Sequence, residues 1–523
     1  ALAGLLAATG GWQAPPGSAS PPGAVELAAA AGPHLCGAAM CADAEACLKT
    51  VDAFLDAQPR HFGLLQVRAP GNLGGGGCGA LCELPTECPE GPAKCRHDTY
   101  DNALAAIYYA KRGRLGQAKR ILDAMLRILY PESLEGLRPS TSETLYRGVA
   151  TGRTLTLLAS SYNSANEPVA GNYETPYVTD GGVDSGNNAW AALAFVHYAA
   201  ASGEPCYANV ARDIMHALRT SGGACEDRLQ GFLGHLPPYR ANYRSAEHNI
   251  DIFALARALG SAEDERRASL FVREMFGRNR AYNHTYSTGT GSAHHCDWSQ
   301  PPGQAVAADA TFWNLLADAD ANKSRLTSAL RFALESPGVD ENGHPNTRGL
   351  WVRDEDRICA GVPVPKLSGV RFTTWGNGVQ WENTASAVMA MVHFRERYGE
   401  EAGVADLPRF VGEARDSLRK LLGVYGGVPS SVLGGNYAAW KVGERDTPYP
   451  GGSDTGIGWP YLRYLSTAPT AWAGLMLLHQ ADEGQPVNAD ANPYAPPARP
   501  VPEGRDCSCL PAGALGADRA GEH

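Results

Sequence analysis

Tyr243, Arg244, Glu247, His248, Asn249 and Asp251 fall within nine consecutive residues, just ahead of the apolar run Ile252-Phe-Ala-Leu-Ala256. The run is interrupted on its helical continuation only by Arg257. A helix that is apolar nearly all round is a buried helix. The polar groups therefore sit on the first turn of an interior helix, where unpaired N–H groups and the dipole favour carboxylates. Glu247 and Asp251 are four apart and share a face. Carboxylates crowded in this way raise one another's pKa, which makes an acid and a base from one residue type.

The arrangement recurs. Asp98 and Asp101, Asp184 with Asn187 and Asn188, Asp309, and Glu382 with Asn383 each open another apolar stretch. Taken singly, such residues are helix caps worth ~1 kcal/mol each; brought to one cavity they become a cluster of acids. The intervening segments carry Trp298, Trp351, Trp375, Trp381, Trp440 and Trp459. Aromatic faces beside acids and amides suit sugar rings, although tryptophans also clamp long loops to a scaffold. The run His294-His-Cys-Asp297 is not read as a metal site, because adjacent histidines point to different sides. The glycines of 451–458 follow no strand, as a phosphate loop requires, and no Ser-centred nucleophile elbow occurs. No metal and no cofactor is expected.

The elements that must hold these residues alternate. Apolar helices are predicted at 98–111, 184–201, 246–259, 306–319, 381–398 and 467–480, and amphipathic companions at 115–129, 207–219, 262–276, 323–335 and 407–422. Six buried helices and five partners leave one outer place, which the early helix 43–58 fills from the other end of the chain. The economical all-α architecture is a closed ring of six hairpins, an (α/α)6 toroid; an open superhelix would need polar capping repeats. Segments leading from an outer to the next inner helix are long (130–183, 220–245, 277–305, 336–380 and 423–466), so they gather at the end that carries the polar first turns. Long loops on one face of a rigid scaffold are where binding and catalysis reside.

Composition bounds the rest. The 523 residues carry a net charge of −10 with no basic stripe, which argues against a nucleic-acid partner. No apolar run reaches the roughly eighteen residues of a membrane span. Thirteen cysteines are concentrated in a Gly/Pro-rich stretch before residue 97 and in the tail, where a hydrophobic core is thinnest. That placement predicts disulfides and an oxidising, extracellular compartment, and the odd count leaves a thiol or an intermolecular bond. The sequons at Asn283 and Asn322 fit the same setting. Residues 1–10 have the character of a signal-peptide core or anchor tail, without the basic flank. Three regions are expected: 1–96, an Ala/Gly/Pro-rich and Cys-rich extension whose one helix packs on the toroid; 97–482, the toroid; and 483–523, a Pro-rich tail.

The motifs Asp184-Ser-Gly-Asn-Asn-Ala-Trp190, Ser245-Ala-Glu-His-Asn-Ile-Asp251, Trp381-Glu-Asn-Thr-Ala-Ser-Ala387 and Thr470-Ala-Trp472 open successive inner helices. With the six-hairpin layout they resemble the six-hairpin glycosidase-like (α/α)6 toroid superfamily, over about 97–482. The resemblance implies a pocket at the N-terminal ends of the inner helices and, for many members, cleavage of glycosidic bonds by two carboxylates. Others are lyases, epimerases or plain binders. The expected function is a secreted glycoside hydrolase acting on a poly- or oligosaccharide. Glu247 would be the general acid, Asp184 or Glu382 the base, and Asp251 a further candidate. Tyr243, Arg244, His248, Asn188, Trp298, Trp375 and Trp381 are the expected sugar contacts. One alternative is a non-catalytic extracellular glycan-binding or assembly protein, joined to like or unlike partners through its termini. Another is a lyase or epimerase using Tyr243 and His248 as acid/base groups, with Arg244 neutralising a uronate.

Overall fold

The computed structural model describes residues 40–61, 63–67, 96–131, 145–162, 182–236, 243–279, 281–290, 296, 305–335, 348–354, 367–399, 404–432, 452–457, 460–462 and 464–513. Among them are twelve α-helices. Six are buried on almost every side: α2 (Thr99–Lys111), α4 (Ser185–Ser202), α6 (Ala246–Leu259), α8 (Ala308–Ala317), α10 (Trp381–Tyr398) and α12 (Thr467–His479). The first five are each followed by an amphipathic helix: α3 (Leu115–Leu129), α5 (Pro205–Leu218), α7 (Ala262–Glu274), α9 (Lys323–Leu334) and α11 (Leu407–Tyr425).

The inner helices pack in the cyclic order α2–α4–α6–α8–α10–α12 and back to α2, so the ring is closed. The outer place behind α12 is taken by α1 (Ala44–Ala57), which packs on both α12 and α11. Closure by the N-terminal helix buries its Cys47, Val51 and Leu55 completely. The outer helices cover the ring with one face and give the other to water, which is why their sequences alternate and the inner ones do not.

Helix ends follow local chemistry. Gly203, Gly260 and Gly426 stop α4, α6 and α11 in the left-handed conformation, with φ of 79°, 70° and 70°, where a side chain is strained. α8 is shorter than the predicted 306–319 because Asp318 itself turns left-handed, φ 57°. Pro205 opens α5 two residues earlier than predicted; its missing N–H costs nothing at the first helical position. The connecting segments contain short antiparallel pairs that periodicity did not reveal, such as β1 (Trp351–Asp354) with β2 (Leu367–Val370), registered Trp351 to Val370. Buried Arg371 ties that hairpin down by donating to the carbonyls of Gly349, Arg348 and Gly376.

Three disulfides occur among the described residues: Cys41–Cys47, Cys206–Cys509 and Cys225–Cys296, with Cys507 unpaired. No helix among these residues is long and apolar enough to cross a membrane. The C-terminal segment crosses the far end of the ring: His197 Nε2 lies 2.8 Å from the Pro493 carbonyl, and Asn492 Nδ2 donates to the Leu316 carbonyl at 2.9 Å.

Candidate active site

A narrow cavity of about 30 Å³ lies at the N-terminal ends of the inner helices. Five of them contribute from their first two turns: Tyr100 from α2; Gly186, Asn187 and Trp190 from α4; Glu247, His248 and Asp251 from α6; Asp309 and Trp313 from α8; Glu382 and Asn383 from α10. Phe372 and Tyr461 close over them, ring edge to face, with centroids 5.3 Å apart. The sixth inner helix, α12, reaches the site through Trp472, whose indole N–H donates to the Tyr100 hydroxyl at 2.7 Å. Helix starts converge here because the ring is closed and all inner helices run the same way.

The lining holds four carboxyls and, among the described residues, no lysine or arginine. Burial pushes the Glu247 carboxyl well above the usual range, and the neighbouring Asp309, Asp251 and Glu382 push it further. One of its oxygens, Oε2, is buried without a hydrogen-bond partner. Burial raises Asp251 too, opposed by the Tyr494 hydroxyl, which donates to Oδ1 at 2.9 Å. Asp309 is driven by burial to about 7. Glu382 is raised by burial, but the Tyr100 hydroxyl donates to its Oε1 at 2.6 Å and favours its charge. His248 is pulled down to about 4 by burial, so it is a neutral imidazole, with Nδ1 3.2 Å from the Ser185 hydroxyl oxygen.

Several residues expected at the site lie elsewhere. Asp184 is fully buried behind the cavity; Ser160 donates to its Oδ2 at 2.6 Å and His235 Nδ1 to its Oδ1 at 2.6 Å. Burial would raise its pKa, but His235, His248 and Ser160 outweigh it and hold the carboxyl below the usual range. Arg244 is also fully buried, donating to both oxygens of Asp227 (2.6 and 3.0 Å) and to the Gln230 and Cys296 carbonyls; it clamps a loop and does not line the cavity. Asn188 spends its amide on Leu158 and the Asp184 carbonyl. Trp381 is an entirely buried core residue, and Trp375 packs beside Ala305, Phe372 and Ile457 without lining the cavity. Tyr243 stands behind His248 with its ring edge on His235. Trp298 and His294-His295 lie outside the described residues. Asn283 and Asn322 are exposed, and the Asn322 side chain caps α9 by accepting from the Arg325 N–H at 3.1 Å.

Sequence reasoning named Asp309 at a helix start without assigning it a role, and did not single out Tyr100, Trp313 or Tyr461. For Tyr100 and Trp313 the available signal was a place two and six residues beyond a cap, like that of Trp190; Tyr461, on a short strand, carried no such signal. Tyr494 had none, since it comes from a segment read as tail.

No family model and no curated protein sequence matches the chain. Among solved structures, cellobiose 2-epimerase from Bacillus thermoamylovorans B4167 is similar with a TM-score of 0.50 at 9% identity, over 83% of this chain and 98% of that one. A family 76 glycoside hydrolase from a bovine Bacteroides thetaiotaomicron strain gives a TM-score of 0.47 at 10% identity, over 83% of this chain and 77% of that one. An unsaturated glucuronyl hydrolase specific for heparin gives 0.45 at 10% identity, over 83% and 96%. At such identities the likeness is one of fold, and together with the closed ring it says that this chain has the (α/α)6 toroid fold, like these neighbours.

Proposed function

We propose that the chain is a secreted glycoside hydrolase in which Glu247 is the general acid and Glu382 the base. The observation that carries this reading is the pair's unequal environment within one cavity. Glu247 is buried among three other carboxyls with an unpartnered oxygen, which favours its protonated form. Glu382 is raised less, because Tyr100 donates to it and stabilises the anion. Two carboxyls whose environments separate their pKa values are the acid and base of glycoside hydrolysis. Protonated Glu247 would give its proton to the leaving oxygen, while ionised Glu382 would take one from the attacking water. The rings of Tyr100, Trp190, Trp313 and Tyr461 offer faces to a pyranose. Secretion is supported by the disulfides.

A second reading, sugar epimerisation, is favoured by one observation: His248 lines the cavity as a neutral imidazole able to accept a proton. The similar structure of a cellobiose 2-epimerase belongs with it. The lyase variant loses support, since Arg244 is committed to Asp227 and cannot meet a uronate. The deciding experiment is a panel of oligosaccharides incubated with the full chain in deuterated water. New reducing ends support hydrolysis. An isomer of unchanged length carrying solvent deuterium replaces hydrolysis by epimerisation, and no change in any sugar overturns both.

A further inference from the structure

Residues 488–510 form a strap across the far end of the toroid. Lys111 of α2 pairs with Asp490 at 2.7 Å, Asn209 of α5 donates to the Gly504 and Asp506 carbonyls, and Cys206 of α5 is bonded to Cys509. Between these anchors the strap sends one large side chain inward. Tyr494 is fully buried, with its ring centroid 5.2 Å from Trp190, 5.9 Å from Trp313 and 6.5 Å from Trp472. It thereby stops the bore of the ring. Its hydroxyl ends on Asp251 Oδ1 at 2.9 Å, and Arg257 of the same helix holds its backbone carbonyl at 2.9 Å.

On the hydrolase reading above, we infer that Tyr494 is a positioning residue of the site, delivered from outside the ring to fix the Asp251 carboxyl beneath Glu247. The groups that act on Asp251 come from several elements. Glu247 shares its helix, and Asp309 of α8 repels its charge. Tyr494 donates its hydroxyl to it, and the Trp190 indole of α4 also favours its charged form, as the weaker of the two. Glu382 and Asp309 act in turn on Glu247. A hydroxyl donor favours the carboxylate over the acid. When Asp251 ionises, its charge opposes ionisation of Glu247, so the two protons are coupled. The hydroxyl therefore supports the acid one step removed.

Tyr494→Phe tests this, since it keeps the ring and its packing and removes only the hydroxyl. Two readouts are taken on the full chain: the pH titration of the protonated-carboxyl infrared band, with the Asp251 component defined by its loss in Asp251→Asn, and the pH profile of oligosaccharide cleavage. In Y494F the Asp251 component is expected to titrate about one pH unit higher. The alkaline limb of kcat, which reports loss of the Glu247 proton, should move to lower pH, with KM little changed. In the Asp251→Asn background Y494F should then shift nothing further. An unmoved infrared component, or an equal shift of the limb with Asn at position 251, overturns the inference. A moved component in a protein that cleaves no sugar instead overturns the hydrolase reading and leaves Tyr494 as the group that sets Asp251.

Discussion

Glu247 and Asp184 are both acids at the start of an inner helix, yet the fold treats them oppositely. Glu247 is left with an unpartnered oxygen among other acids, whereas Asp184 is bonded by Ser160 and His235. Glu247→Gln should therefore lower turnover by roughly 10²–10⁴ while sugar binding persists, as expected on removing a general acid; kcat and a binding isotherm on the same substrate measure it. Asp309 gives a pH prediction. Its folded pKa of about 7 lies above the ordinary 3.8. The native state thus binds the proton more tightly than the unfolded chain, and this contribution to stability is complete below about pH 4 and lost as pH rises through 7. Thermal melts from pH 5 to 8 should show a falling Tm, and Asp309→Asn should flatten the fall by removing a term on the order of a few kcal/mol. An equally steep fall in the variant would place the cause outside this carboxyl.

At the scale of elements, the helices were legible because burial imprints itself on the sequence. α6 and α10 have the predicted bounds, since a polar cap stands before an uninterrupted apolar run and a glycine follows it. Which cap faces the cavity was not legible. A first-turn side chain at the capping position, such as Asp184, turns back into its own loop, while those two to six residues on, such as Asn187, Trp190 and Glu247, face inward. That difference is a matter of helix rotation about its axis, set by packing partners far away in sequence. The loop ladders and the position of Arg244 depend likewise on contacts with distant segments. Gly186 shows how tightly α4 and α6 meet at the site: a Cβ there would come within 2.6 Å of His248 Cδ2. Gly186→Ala should cost about 1–3 kcal/mol through overpacking, read as a lower midpoint in urea unfolding. It should also displace His248, and with it any activity that relies on this imidazole.

The whole molecule is a ring whose two chain ends fasten it. α1 fills the last outer position from the N-terminal side, and the strap stops the bore from the C-terminal side. The fastening differs in kind. α1 is held by a long apolar face buried against α12 and α11, supplemented by pairs of its Glu45, Asp52 and Asp56 with Arg112 and Arg114. The strap has few apolar residues to bury; it is held by the Lys111–Asp490 pair, by carbonyls that accept from the ring, and by the covalent bond to α5. A segment without a core of its own is where a disulfide matters most. Cys206 and Cys509 are 303 residues apart, so the bond removes a very large loop from the unfolded ensemble, and cutting it should cost about 2–5 kcal/mol. Cys509→Ser should accordingly lower Tm by several degrees. The loss should be local before it is global, since the helical ring keeps its own contacts when the strap detaches. Tryptophan fluorescence should then report a change in the Trp190–Trp313–Trp472 cluster at a lower temperature than circular dichroism reports loss of helix. Coincident transitions in the variant would mean that strap and ring unfold as one unit and that the disulfide acts on the whole fold.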